Sequence, residues 1–503
     1  MSKPLESFYA QWRVRSGALQ RLREDTDSPP ERLLQAVWQH QRILRDKLTT
    51  VDGQPVRVLH PGFHSVEGGP DFRGAVLQIG DALPRTGDVE IDIRPSGWHG
   101  HGHDNNLAFQ NVILHVIWAG ERQSSVSPPA LPLCDALDSP LGELSLWLGS
   151  EAAQSFPEQL RGKCCAPLRE LKSEQVTELL QQAAQVRLES KAAQFRARAK
   201  QSNWEQALWE GLFRALGYKK NVWAMQRLAE LRPRWATDGS QPLTLQARLL
   251  GLSGLLPAEL TRSKSGADNY LRRIWDQWWR ERDQYSDCML PRELWRFHGV
   301  RPPNHPQRRL ALASHWPLNG ELPTKLEKWS TRELRNSALA SSLLQILQVQ
   351  GDDFWSWHWT FHSARFQKPQ PLLGGTRVTD LAVNVILPWL WSRAAEEKND
   401  ALQKNVEKRY FAWPPAEDNS LLRLARQRLL GGAPRKALSG AAVQQGLIQI
   451  VRDFCEHSNA LCENCKLPEL IRQWNAPGAF GQHLLTQPSQ KKISPQQVLP
   501  RPK

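Results

Sequence analysis

The sequence predicts an α/β N-terminal core, a small mixed sheet flanked by helices, followed by a large mostly α-helical region. Three observations carry this. Short β-branched runs separated by Gly and Pro crowd residues 56–118. Within them, residues 112–118 are apolar on both faces apart from His115, as a central strand covered on both sides should be. From Ser173 almost to the end, apolar residues recur at helical period. A chain of 503 residues exceeds one ordinary core, so roughly two to four domains are expected.

Residues 30–48 place Leu33, Leu34, Val37, Trp38, Ile43 and Leu44 near helical spacing just after Ser28-Pro29, which predicts a first helix. Strands are predicted over 56–59, 72–79, 89–93 and 112–118. Ser173 is a candidate N-cap with Glu174 in the first turn. Val176, Leu179, Leu180 and Ala183 then share one face of a helix reaching Lys200. A helix pair broken at Gly217 follows over 203–230, and further helices are predicted over 242–256, 270–285, 331–349, 381–395 and 419–431. No repeat of fixed period is present. The division expected is 1–150 for the α/β core with its N-terminal helix, 151–435 for the helical part, 436–486 for a C-terminal helical module with a cysteine cluster, and 487–503 for a disordered tail rich in Gln, Lys, Ser and Pro.

A formal charge of +14 and a pI near 9.6 favour a polyanionic partner such as nucleic acid, although a basic protein without one remains an open reading. The 22 tryptophans recur beside Leu and Arg at helical spacing, as at Trp275, Trp278 and Trp279, which favours core packing over base stacking. Seven cysteines, an odd number spread along the chain, give no disulfide framework. The first residues lack a charged head followed by an apolar run, and no window reaches the roughly eighteen apolar residues of a membrane span. The expectation is a soluble, cytoplasmic protein with no membrane partner.

Most of the candidate chemistry lies between Gly69 and His115. In the strand 89–94, Val89, Ile91 and Ile93 face one way and Glu90, Asp92 and Arg94 the other, so two carboxylates stand about 7 Å apart on one face. Asp71 opens the preceding strand after a Gly-Gly-Pro turn. If the two strands are neighbours, Asp71 and Glu90 can share a hard divalent cation, Mg²⁺ or Mn²⁺, that activates water and neutralises phosphate charge. The competing reading is an edge strand with an ordinary charged solvent face. His99, His101 and His103 alternate with glycines and would line one side of an extended segment, able to contact phosphate, shuttle protons or bind a metal. An exposed glycine loop is the alternative, favoured for His99, and a satisfied core histidine is the commoner outcome for His115.

Two motifs lie outside this region. Cys455-x-His457-x₄-Cys462-x₂-Cys465 has the close spacing of a metal site, Zn²⁺ ahead of an iron–sulfur cluster, in a structural role. Its fourth ligand is His457, or Cys164 or Cys165 from far along the chain. Arg301-Pro302-Pro303-Asn304-His305-Pro306-Gln307-Arg308 can hold a phosphate on Arg301 and Arg308, or rigidify a link between helical units.

The ordered set of motifs resembles a bacterial family of unknown function, DUF2851, over nearly the whole chain. It comprises Gly69-Pro70-Asp71-Phe72, Gly87-Asp88-Val89-Glu90, Trp98 with His101-Gly102-His103, Asn111 to His115, Ala215 to Tyr218 with Asn221, the apolar stretch Leu249 to Pro257, the Arg301 to Pro306 run, Asn384 to Pro388 and the last cysteines. Two positions depart from that family's pattern: Asp92 stands where a histidine is commoner, and Gly97 where an Asp commonly precedes the tryptophan. The cysteine spacing also looks like the start of the iron–sulfur loop of the endonuclease III family, without its last cysteine.

The layout of the first helix, a hairpin carrying Asp71, a strand carrying Glu90-x-Asp92 and a buried fourth strand is similar to the core of the PD-(D/E)XK nuclease superfamily. That resemblance implies Asp71 and Glu90 as metal ligands. The superfamily's water-positioning lysine falls on Asp92, so the positive partner would come from Arg73, Arg94 or a histidine of the glycine loop. The segment 98–110 is short for the helix usual there. The expected function is metal-dependent hydrolysis of phosphodiester bonds in DNA or RNA by Asp71, Glu90, Asp92, His101 and His103, with basic helices gripping the backbone. The alternative is a catalytically inactive nucleic-acid-binding or protein-interaction scaffold of the same fold. A third reading is a metal hydrolase of small substrates.

Overall fold

The computed structural model describes residues 7–475 apart from 16–28, 30, 66–68, 101–102, 104–105, 121–127, 142–143, 145–166, 170, 219, 237–240, 261–266, 298–299, 320, 350, 432–438 and 457–464. A mixed sheet precedes a largely helical region. The sheet runs β1 (Val56–His60), β3 (Phe72–Ile79), β4 (Arg85–Asp92), β5 (Val112–Ile117), β6 (Ala130–Pro132), with the short β2 (Phe63–His64) paired to β3. The β1–β3 and β3–β4 pairs are antiparallel, whereas β4–β5 and β5–β6 are parallel. β4 is therefore central, not an edge. Val89 and Ile91 are buried against Leu33, Leu34, Val37 and Trp38 of the helix α2 (Glu31–Gln39), which explains why this strand keeps β-branched residues at alternate positions.

The helix expected over 30–48 stops at Gln39. Gln41 adopts a left-handed φ of 50°, Gln41 N donates to the Trp38 carbonyl and Arg42 N to the Val37 carbonyl, which is a Schellman ending with a glutamine at the position that usually takes Gly. The β-branched Ile43 then bridges Leu137 instead of continuing the helix. Over 331–349 the helix is shorter than expected, Leu339–Leu347, because Thr331 closes a preceding helix, Leu322–Thr331.

Three apolar cores are present among the described residues. One joins the sheet to α2. The second and largest is helical, and holds Trp209, Trp235, Trp316, Trp329, Trp355, Trp389 and Trp413 fully buried. The third packs the helix α1 (Phe8–Arg15), through Tyr9 and Trp12, against Phe454 and Trp474 of the last described helices. One helix, Ser173–Gln201, feeds all three: Val176, Leu179, Leu180 and Ala183 enter the third core, Ala184 and Leu188 the helical core, and Ala197 the sheet core. Among the described residues no helix is long and apolar enough to cross a membrane.

Candidate functional site

The antiparallel register that pairs Phe72 with Val89 brings Asp71, at the start of β3, beside Glu90, near the end of β4. Asp71 N donates to Glu90 Oε2 at 3.0 Å, and the Asp71 carboxylate accepts from Ile91 N at 3.1 Å. Helix α2 closes the group from the side. Gln35 Nε2 donates to Asp71 Oδ1 at 2.9 Å and to Glu31 Oε1 at 3.1 Å, so two residues one helical turn apart both serve the strand ends.

On the same face of β4 as Glu90, Asp92 is 2 % exposed and its Oδ2 lies 2.9 Å from His115 Nε2. His115 sits on β5 opposite Glu90, and its pairing with Asp92 is how a polar ring is satisfied in an otherwise apolar strand. His103 Nε2 lies 3.3 Å from Glu90 Oε1, and its ring stacks on Phe109 with centroids 3.9 Å apart. Trp98 meets the rings of both His103 and His115 at 5.4 Å. Backbone room is also used up: a Cβ on Gly97 would lie 2.4 Å from Asp92 Oδ1. The two positions that depart from the family pattern, 92 and 97, are thus in contact.

Ligand atoms of Glu90, Asp92 and His103 all lie within 4.8 Å of one another. Burial, with the neighbouring Glu31 carboxylate adding to it, pushes Asp71 up to about 7; burial, with the Asp71 and Asp92 carboxylates adding to it, pushes Glu90 up to about 8. Carboxyls crowded in this way are stabilised by protons or by a cation. The donor set fits a divalent ion: two carboxylates suit Mg²⁺ or Mn²⁺, and the imidazole of His103 shifts the preference toward Mn²⁺. Asp71 is half-buried, less enclosed than Glu90 and Asp92.

Of the residues singled out in the sequence, Asp71, Glu90, Asp92 and His103 converge, and His99 is exposed, while His101 lies outside the described residues. The charged-edge reading of β4 is corrected, because Glu90 and Asp92 are buried on a central strand. Arg73, Arg94 and Arg301 are exposed. The phosphate role expected of Arg308 is also corrected: it is 1 % exposed, and its guanidinium donates to the carbonyls of Trp355, His358, Gln370 and Pro371. That proline-arginine run ties helical units together. In the cysteine motif, the Cys455 side chain, His457 and Cys462 lie outside the described residues, as do Cys164 and Cys165, and Cys465 is half-buried.

Among the site residues that sequence reasoning missed are Phe109, which stacks on His103, and the pair Glu31 and Gln35. Their four-residue spacing gives them one helix face, but nothing local says that this face meets Asp71. Searches of curated proteins and of solved structures give no match. A family profile covers residues 31–420, from the first turn of α2 to the helix that begins at Ser420, and so spans the sheet, the acidic group and the helical core; by this match the chain belongs to the family described as "Protein of unknown function (DUF2851)".

Proposed function

We propose that the sheet unit is a metal-dependent phosphodiesterase core acting on DNA or RNA. The observation that carries this reading is the convergence of Asp71, Glu90, Asp92 and His103 at the ends of two adjacent strands. The order helix, antiparallel hairpin, then a parallel fourth strand supports it, being the layout that the nuclease superfamily resemblance implies.

A divalent ion held by Glu90, Asp92 and His103 would supply charge neutralisation at the phosphate and a more acidic water. The chain's own residues do the rest. His115 fixes the Asp92 carboxylate, Phe109 and Trp98 hold the His103 ring in place, and Gln35 orients Asp71. Asp71, half-buried and with its carboxyl pushed up to about 7 by burial, is placed to exchange a proton with an attacking water. Exposed Arg73 and Arg94 flank the strands and offer phosphate contacts.

A second reading has its own observation. The place two residues after Glu90 holds Asp92, tied to His115, where the nuclease superfamily carries lysine. An inactive nucleic-acid-binding or protein-interaction scaffold is consistent with that change. Incubating single- and double-stranded DNA and RNA with Mn²⁺ or Mg²⁺ separates the two. Cation-dependent cleavage, reduced about a hundredfold or more in Glu90→Ala, is the expected result. No cleavage by either protein, with nucleic-acid binding retained in both, rejects the phosphodiesterase.

A further inference from the structure

From Gly351 to Gly374, between the helices Leu339–Leu347 and Gly375–Leu381, the chain forms neither helix nor strand. Connections longer than about 12–15 residues without regular structure are uncommon in a compact unit and are usually kept for function, because each residue held in one conformation costs about 1–2 kcal/mol of backbone entropy. This loop is held in one shape from within. Phe366 N donates to the Trp357 carbonyl at 2.9 Å and Gln370 N to the Ser356 carbonyl at 2.7 Å, which folds the segment back on itself. Ser363 Oγ accepts from Trp359 N and Thr360 N at 2.9 and 3.2 Å. The four carbonyls that buried Arg308 binds, those of Trp355, His358, Gln370 and Pro371, all belong to this loop and fasten both of its arms.

The loop has two faces. Phe354, Trp355, Phe361, Leu372 and Leu373 are buried in the helical core. Trp357, Trp359 and Phe366 are half-buried and lie outside that core, and His362, Arg365 and Lys368 are exposed. Core packing accounts for the first set and leaves the second unexplained. In the second set the Arg365 guanidinium lies over the Trp357 ring, 4.3 Å from its centroid, and the rings of Trp359 and Phe366 stand 4.5 Å apart. Arg308 lies 4.5 Å from the Trp359 centroid and fixes that ring in place. No acidic residue occurs between Asp353 and Asp380. Among the described residues neither Arg365 nor Lys368 forms an ion pair. The outer face is therefore a rigid surface that joins aromatic rings to unneutralised cations.

Unpaired bases stack on aromatic rings and on arginine planes, while the phosphates of the same strand bind nearby cations. A duplex offers its phosphates but keeps its base faces inside the stack, and an acidic protein segment matches the charge without using the plane. We infer that the outer face of the 351–374 loop binds single-stranded nucleic acid without reading its sequence, a base stacking on the Arg365–Trp357 plane and a neighbouring phosphate meeting Lys368. The surface belongs to the helical region and needs no metal ion, so it stands whether or not the acidic group cleaves.

Fluorescence anisotropy of the full chain in EDTA, with labelled oligothymidylate and oligouridylate about twenty nucleotides long and a duplex of the same length, tests it. Both single strands are expected to bind saturably, and the duplex at least about tenfold more weakly. Arg365→Ala is expected to weaken single-strand binding by about fivefold or more, and Arg365→Lys, which keeps the charge and loses the plane, by nearly as much. Lys368→Gln is expected to lower the slope of log affinity against log salt by about 0.7, the share of one phosphate on a single strand. Both side chains are exposed, so the variants should melt as the wild type does. No saturable binding of either single strand by the wild type overturns the inference and leaves duplex cleavage by the acidic group untouched. Equal affinity for the duplex also overturns it. Wild-type affinity in Arg365→Ala or Arg365→Lys removes the stacked base, and an unchanged salt slope in Lys368→Gln removes the phosphate contact; each overturns the assignment. Displacement of the strand by polyglutamate at equal charge concentration overturns it in favour of an acidic protein.

Discussion

Asp71 and Glu90 have carboxyls whose ordinary values near 3.8 and 4.5 are raised to about 7 and about 8 in the folded chain. Between about pH 4 and about pH 8 the folded state therefore holds more protons than the unfolded chain, and stability falls as pH rises through that window. Differential scanning fluorimetry of metal-free protein should show a melting temperature that declines from about pH 5 to about pH 8. Mn²⁺ should restore more of it at the higher pH, where fewer protons must be displaced. A flat profile without metal would mean that these carboxyls are already ionised below pH 5. The alternation in β4 made Glu90 and Asp92 legible from sequence, and the Gly-Pro turn did the same for Asp71. Glu31, Gln35 and the contact of Gly97 with Asp92 were not legible, because each depends on how a separate segment docks.

At the scale of elements, α2 carries two tasks, with Glu31 and Gln35 at its first turns beside Asp71 and Gln41 just past its end beside a cavity of about 590 Å³. A left-handed glutamine there is strained, and its buried Oε1 has no hydrogen-bond partner among the described residues. Gln41→Gly is expected to stabilise the protein by about 0.5–1 kcal/mol in chemical denaturation. A loss of stability would instead assign the gain to the Gln41 Nε2 bond to the Trp38 carbonyl. The same residue explains an overlong sequence reading, since Ile43 and Leu44 fit the helical spacing but lie beyond the reversal. Elements with local signals were read closely. β3 spans Phe72–Ile79 as expected, and Ser420–Leu430 is bounded by Asn419, which caps Leu422 N, and by a left-handed Gly431. β2 and β6, two and three residues long, have too few positions to show a period.

For the whole molecule, the helix Ser173–Gln201 makes three cores depend on one element. Leu180 is fully buried in the core that joins α1 to the last helices, so Leu180→Ala should cost about 2–5 kcal/mol. Because the helix is shared, the loss should also reach the sheet, as faster hydrogen exchange at the β4 and β5 amides. Unchanged protection there, with a second melting transition, would show that the cores unfold independently. The helical period and the change of pattern near Ser173 were visible in sequence. The joining of α1 to Phe454 and Trp474 was not, since no local pattern records a contact between segments more than four hundred positions apart.

That last contact bears on how the chain is made. Tyr9 and Trp12 are synthesised more than four hundred residues ahead of Asp453 and Trp474, to which they and Arg13 bind. Helix α1 therefore waits uncovered while the residues between are made, and nascent chains are exposed to aggregation there until the helices carrying Phe454 and Trp474 dock.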